Sequence, residues 1–370
     1  MRVTLGVPKE NVQYERRVSV VPEIIPRLKL MGLNVIVEPG AGESAYFPDS
    51  LYAEEGAVIA ENREEVFRSA DIIVSVQRPS AKDVKNMKNG GILIGILLPE
   101  RNPDVISAVF QTGVVAFTLE RIPRITRAQS MDVLSSQSSV AGYRAALLGA
   151  VNSPKLMPML TTAAGTVKPA RVLVIGAGVA GLMAIATARR MGSSVTAYDV
   201  RRTAGEDVRS LGAKFLELNI DASGIGGYAR ELTSEEKEQQ QEMLENALLN
   251  SEVIITTASV PGRRAPLIIT KEQIGRMSPG TVIVDLAADS GGNCELTKLG
   301  TTEEYKGVKV IGAANLPAEI PINSSQMFSR NLQAFLELIM KEGAISRTFD
   351  DEILAACLLT EHKNAPGEGS

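Results

Sequence analysis

The chain has 370 residues, enough for two ordinary domains, and its net charge of −4 excludes a broad basic footprint, so no nucleic-acid partner is expected. Its two cysteines, Cys294 and Cys357, lie far apart without a C-x-x-C motif, which implies neither a disulfide framework nor a metal site. The opening MRVTLGVPKE carries no long apolar run, and the longest apolar stretch, Ile92 to Pro99, is too short to cross a bilayer; neither a signal peptide nor direct membrane insertion is expected.

The first third alternates strand and helix patterns. Strands are expected at Val3–Val7, Asn34–Glu38, Asp71–Val76, Ile92–Leu98 and Val114–Phe117, with helical stretches near Pro22–Met31, Asp49–Glu55, Arg63–Ser69 and Pro103–Gln111. Such alternation predicts a mostly parallel sheet with helices on its faces. No glycine-rich phosphate loop follows any of these strands, so this domain is not the expected cofactor binder. Residues 119–144 are polar and run into a helix ending near Val151, which Ser130 or Asp132 is placed to cap. A plain connector explains the stretch. Three of its arginines, with Gln129 and Asp132, lie close together just before the next domain and also suit a ligand-holding segment at a domain cleft.

Residues 171–199 read RVLVIGAGVAGLMAIATARRMGSSVTAYD. An apolar strand enters Gly176-Ala177-Gly178-Val179-Ala180-Gly181, a helix follows, and a second strand ends at Asp199. This is G-x-G-x-x-G in the context a dinucleotide requires. Gly176 permits the tight turn, Gly178 the approach of a pyrophosphate, and Gly181 close helix packing; the helix N-terminus favours phosphate charge. Asp199 suits a ribose and repels a 2′-phosphate, which favours NAD(H) over NADP(H), although Arg201 and Arg202 work against that preference.

Further strands are expected at Lys214–Leu218, Glu252–Thr257, Thr281–Leu286 and Val308–Ile311, giving the doubly wound order 3-2-1-4-5-6. Residues 219–232, NIDASGIGGYAREL, read equally as a variable surface loop or as a lid hinged at Gly226-Gly227 and closed by Tyr228. A charged helix, Ser234 to Leu249, follows. From Ser324 a long amphipathic helix is expected to return to the first domain, and the HKNAPGEGS end reads as frayed. The expected division is 1–135 with 320–370, a linking helix over 136–153, and a nucleotide domain over 154–319. The expected fold class is α/β, with two doubly wound parallel-sheet (Rossmann-like) domains separated by a cleft.

PRITRAQSMDVLSSQSSVAGYRA, with MLTTAAGTVKPARVLVIGAGVAGLMAIATA and DLAADSGGNCELT, closely resembles the NAD(H)-binding alpha (alpha-1) subunits of proton-translocating NAD(P) transhydrogenases, over nearly the whole chain. The RITRAQSMD stretch is specific to that family, whereas the glycine fingerprint alone is not. Alanine dehydrogenases are related and share the two-domain fold. The resemblance implies that Arg124, Gln129 and Asp132 form the catalytic loop holding the nicotinamide end, with Ile125, Thr126 and Ser135 beside them. It implies that Ala177, Gly178 and Val179 form the pyrophosphate turn and Asp199, Val200 and Arg201 the adenosine-ribose region. Gly227 and Tyr228 then belong to a mobile loop that closes over nucleotide, and Gln240 and Ser259 are weaker contacts on the adenosine side.

Alanine dehydrogenases use a lysine and a histidine in the first domain, where Ser75 and Ile96 stand at or near the corresponding places here. The single histidine, His362, lies in the polar tail. Reducing a ketone or imine needs a positioned acid, whereas passing hydride between two nicotinamides needs ring alignment and exclusion of water. The implied activity is hydride transfer between NADH and NADP+ held on a partner subunit, coupled to proton translocation by a separate membrane-spanning proton-channel subunit. The implied assembly is a homodimer, cytoplasmic and peripheral to the inner membrane through its partners. Two other readings are an alanine dehydrogenase-like NAD-dependent oxidoreductase acting alone and a non-catalytic NAD(H)-sensing subunit.

Overall fold

The computed structural model describes residues 2–217, 234–259 and 264–359, with the side chains of 234–237 and 240 outside the description. The chain divides into two compact units, Met1–Gln137 with Pro317–Ser370, and Ser138–Leu316. The division falls inside one helix, Val133–Asn152.

The first unit is built on strands β1 (Val3–Val7), β2 (Leu33–Val37), β3 (Val58–Ile59), β4 (Ile72–Gln77), β5 (Ile92–Ile96) and β6 (Val115–Thr118). All pair in parallel, in the order β3-β2-β1-β4-β5-β6. Side chains on alternate faces explain the near-continuous apolar runs. In β4, Ile72 and Val74 join one core and Ile73 the other. The helix Pro321–Ile339 packs Phe328, Leu332, Phe335, Leu336 and Ile339 into the first of these cores. That spacing is one helical face, and Phe335 meets Phe117 edge-on at 5.7 Å.

The second unit carries a small hairpin, β7 (Leu160–Thr162) and β8 (Gly165–Val167), and a larger sheet. The sheet strands are β9 (Arg171–Ile175), β10 (Ser194–Tyr198), β11 (Lys214–Phe215), β12 (Val253–Thr256), β13 (Val282–Asp285), β14 (Thr302–Tyr305) and β15 (Val308–Gly312). Their order is β11-β10-β9-β12-β13-β15-β14, parallel except for the edge strand β14. The six parallel strands follow the expected 3-2-1-4-5-6 order. Each sheet therefore reverses direction beside its first strand, at β1/β4 and at β9/β12, and the crevice outside the strand C-termini at such a point is where ligands bind.

The chain contains pieces the sequence patterns do not predict: β3, the hairpin, β14, the short helix Ala81–Lys85 with its Ser80 capping box, and the helix Glu352–Cys357. Strand ends differ from expectation by one to three residues; β5 stops at Ile96 rather than Leu98, and β11, expected to run to Leu218, stops at Phe215. Leu98 adopts φ 46, and its amide turns to the Glu120 carboxylate instead of a neighbouring strand.

Candidate functional site

The glycine turn leaves β9 at Gly176, whose φ of 98 is open to glycine at little cost. A Cβ there would lie 2.5 Å from the Thr257 hydroxyl, and one at Gly181 would lie 1.9 Å from the Gly176 carbonyl oxygen. Packing therefore excludes a side chain at both positions. A Cβ at Gly178 would meet nothing within 4 Å, so this glycine faces open space. Gly178 is also the N-cap of the helix Val179–Arg190, extended and with no side chain to cap the first turn. The first-turn amides and the positive helix end are thus presented to an open cradle, the arrangement a pyrophosphate requires. The residues fit a dinucleotide, and a methyl group on Gly178 would fill the space its phosphates need.

Asp199 stands at the end of β10, and its carboxylate accepts the Ala177 amide at 2.7 Å and the Arg201 amide at 2.8 Å. The Arg201 guanidinium donates to it at 3.1 Å from both Nε and Nη2. Burial pushes the Asp199 carboxyl up, but the hydrogen bonds from Arg201 and Ala177 outweigh it and hold the group below the usual carboxylate range. Asp199 therefore ties the glycine turn to the neighbouring strand. Arg201, mostly exposed, covers the outer edge of this carboxylate. Val200 is exposed, as is Ser259 beyond β12.

In the first unit Arg124, Thr126 and Gln129 are exposed, and Ile125 is half-buried. Asp132 is half-buried and caps the helix Val133–Asn152, accepting the Ser135 amide at 2.9 Å and the Ser135 hydroxyl at 2.6 Å. Asp132 thus pairs with Ser135, and among the described residues it forms no ion pair with Arg124. The loop is anchored elsewhere: Asn331 donates to the Ser130 carbonyl at 2.7 Å, and Arg127 bridges Asp351 and Glu352. Arg124 and Gln129 are thereby left presented on a fixed backbone.

A buried polar cluster that sequence reasoning missed fills the β1/β4 reversal. Glu10 accepts the Val76 amide at 2.6 Å and the Gln77 amide at 3.1 Å. Burial and the neighbouring Glu15 push its carboxyl up to about 8. Glu15 holds Arg17 through Nε at 2.7 Å and Nη2 at 2.6 Å and accepts Gln77 Nε2 at 3.1 Å, while Arg17 Nη1 donates to Gln137 at 2.8 Å. Gln77, rather than Ser75, reaches this cluster, and the buried Ser75 hydroxyl has no hydrogen-bond partner among the described residues. The only sequence signal was the charge-rich PKENVQYERR following a strand, which also describes an ordinary surface turn.

Gly227, Tyr228 and His362 lie outside the described residues, and so does the Gln240 side chain. A groove of about 600 Å³ is lined by Arg171, Thr196 and Leu216 from the β9–β11 side of the sheet and by Glu242, Met243 and Asn246 from the helix Ser234–Leu249. No residue of the glycine turn lines it, and the turn is the better-founded site because its amides and its open glycine converge. No described helix is long and apolar enough to cross a membrane.

Residues 6–141 match the family described as alanine dehydrogenase/PNT, N-terminal domain, and residues 145–365 its C-terminal domain. The chain is 43% identical over 382 aligned residues to the alpha-subunit chain of NAD(P) transhydrogenase from Rhodospirillum rubrum, the first of the pieces into which that subunit is divided, covering 99% of this chain and 100% of that one. It is 40% identical over 357 residues to NAD(P) transhydrogenase subunit alpha of Haemophilus influenzae, covering 95% of this chain and 69% of the relative. The crystal structure of transhydrogenase from Sinorhizobium meliloti superposes with a TM-score of 0.87 at 40% identity, covering 96% and 98% of the two chains. With both domain families matched in order on two doubly wound units, and a glycine turn built for a dinucleotide, the chain belongs to the alanine dehydrogenase/PNT family.

Proposed function

We propose that this chain is the NAD(H)-binding subunit of a proton-translocating NAD(P) transhydrogenase, passing hydride between NADH and NADP+ held on a partner subunit. The observation that carries the nucleotide assignment is the open Gly178 at an uncapped helix N-terminus, tied through Ala177 to Asp199. The names of the similar proteins support the transhydrogenase role. Bound NADH supplies the hydride, and no proton is taken up or released in the transfer. The chain's residues need only hold and aim it.

In this reading the amides of Gly178 and Val179 hold the pyrophosphate, and Asp199 receives the ribose once Arg201 swings aside. Arg124 and Gln129, exposed on the loop anchored by Asn331 and Arg127, take the nicotinamide end. Asp132 and Ser135 set where that loop enters its helix. Residues 1–135 with 320–370 and residues 154–319 act as the two domains, joined through 136–153. The NADP(H)-binding and membrane-spanning proton-channel subunits are separate chains, and this one is a homodimer attached to the cytoplasmic side of the membrane through them.

The test is reduction of an NAD+ analogue by NADPH, with the chain alone and then with an NADP(H)-binding subunit added. Activity only in the mixture, lost on Gln129→Ala with nucleotide still bound, is the expected result. Alanine-dependent NAD+ reduction by the chain alone, with a silent mixture, would overturn the proposal in favour of a self-contained alanine dehydrogenase.

A further inference from the structure

The DSGGN stretch, residues 289–293, has no role in the reading above, yet it leads to the most heavily bonded side chains beside the glycine turn. Asp285, at the end of β13, is fully buried. One carboxylate oxygen accepts the Thr256 hydroxyl at 2.9 Å and the Ala287 amide at 2.9 Å. The other accepts the amides of Asn293 at 2.7 Å and Cys294 at 3.1 Å and the Thr297 hydroxyl at 2.6 Å. Five donors on one carboxylate pin the backbone of Asn293. Gly291 at φ 102 and Gly292 at φ 79 turn the chain back to reach it, and a Cβ on Gly292 would sit 2.7 Å from Thr297 and 3.0 Å from the Asp285 carboxylate.

Asn293 is itself fully buried and spends its whole amide on another segment. Its Oδ1 accepts the Ala258 amide at 3.1 Å, and its Nδ2 donates to the carbonyls of Ala258 at 2.8 Å and Pro266 at 2.9 Å. It thus clamps the two ends of the stretch 258–266. Ala258 follows Thr257, whose hydroxyl donates to the Gly176 carbonyl at 3.1 Å and packs where a Gly176 side chain would go. A buried amide that imitates a strand neighbour to one residue and reaches a second is more than a loop needs for stability alone. It fixes the backbone directly beneath the phosphate turn.

We propose that Asn293 is the positioning residue of this site. Held by Asp285, it sets the Thr257-Ala258-Ser259 backbone against the glycine turn so that a dinucleotide finds both walls preformed. The proposal rests on the nucleotide reading above and adds to it a residue that touches no nucleotide. A preformed wall spares the bound state the cost of ordering a loop. Losing the clamp therefore weakens nucleotide binding and raises the KM for NADH, while the rate at saturation is unchanged.

The experiment compares the full-length chain with Asn293→Ala and the near-isosteric Asn293→Asp. NAD+ binding is measured by calorimetry from about pH 8 to about pH 5, and amide exchange is followed at Ala258 without ligand. Asn293→Ala should weaken binding about tenfold, the scale of one buried hydrogen bond, and should deprotect the Ala258 amide. In Asn293→Asp the carboxylate repels the two carbonyls at high pH. Once protonated it donates again, so affinity should recover as pH falls, which a purely structural defect would not do. An Ala258 amide equally protected in all three proteins, or equal NAD+ binding by Asn293→Ala, overturns the proposal. If Asn293→Ala does not fold, absence of the acid recovery in Asn293→Asp overturns it. A wild-type chain that binds no dinucleotide while the exchange pattern is as expected sinks the nucleotide reading instead, and leaves Asn293 a loop clamp only.

Discussion

Replacing Gly178 and Gly181 separately with alanine should give opposite phenotypes, although both belong to one motif. At Gly181 the new Cβ would lie 1.9 Å from the Gly176 carbonyl oxygen and 2.8 Å from its carbon. The helix Val179–Arg190 would have to move outward by about an ångström or more, since real Cβ atoms essentially never come within 3.0 Å of such a neighbour. Forced overpacking of this kind costs about 1–3 kcal/mol or more, and Gly181→Ala should melt lower with or without ligand. At Gly178 the Cβ meets nothing within 4 Å, and the backbone, at φ −80 and ψ −170, is open to any residue. Gly178→Ala should therefore melt like the wild type, yet its methyl occupies the cradle. Displacing one charge-assisted bond between phosphate and amide forfeits about 1.5–3 kcal/mol, or roughly tenfold to a hundredfold in NADH affinity. Thermal melts paired with NADH fluorescence titrations read both effects. Gly178→Ala binding NADH as tightly as the wild type would refute the placement of the pyrophosphate at this turn. An unaltered melting temperature for Gly181→Ala would refute the packing argument.

Two ionisable groups give pH-dependent predictions. Burial pushes the Glu252 carboxyl up, but Arg171 and Lys155 outweigh it and hold the group at about 2, so its stabilising effect is present above the ordinary carboxylate range and lost as pH falls toward 2. Both cationic partners are solvent-screened, so Glu252→Gln should cost only about 1 kcal/mol in neutral urea melts, and that difference should vanish near the acid end. Glu10 behaves in the opposite sense. With its folded value raised to about 8 from 4.5, the native state keeps a proton the unfolded chain has released. Its contribution is therefore full below the ordinary carboxylate range and declines as pH rises toward about 8, with a slope of at most about 1.4 kcal/mol per pH unit. Glu10→Gln should remove that slope from denaturation curves taken across the window; an unchanged slope would show that Glu10 is not its source.

Chain order, the central strands of both sheets and the glycine turn are legible in the residues alone. Apolar runs such as VLVI at 172–175 and ILIGI at 92–96 have no periodic polar face, so they had to be buried on both sides of a parallel sheet. A glycine fingerprint between such a strand and a helix admits few other local structures. The long helix beginning at Pro321 announced itself through the spacing of Phe328, Leu332, Phe335 and Ile339. The polar β14 and the hairpin at 160–167 carried no such signal, because none of their residues is fully buried and their sequences, TEEY, LTT and GTV, show no apolar–polar alternation. What tertiary structure alone decided were the partners of polar groups. Glu10 meets amides 66 and 67 residues away, Arg17 meets Gln137, and Asn293 meets Ala258. Local apolar period is written residue by residue, since each side chain needs only to know which face is dry. A hydrogen bond needs a particular donor and acceptor brought within about 3 Å. In a doubly wound sheet the crossover connections that do this join strand ends far apart along the chain, and nothing in either local sequence records the meeting.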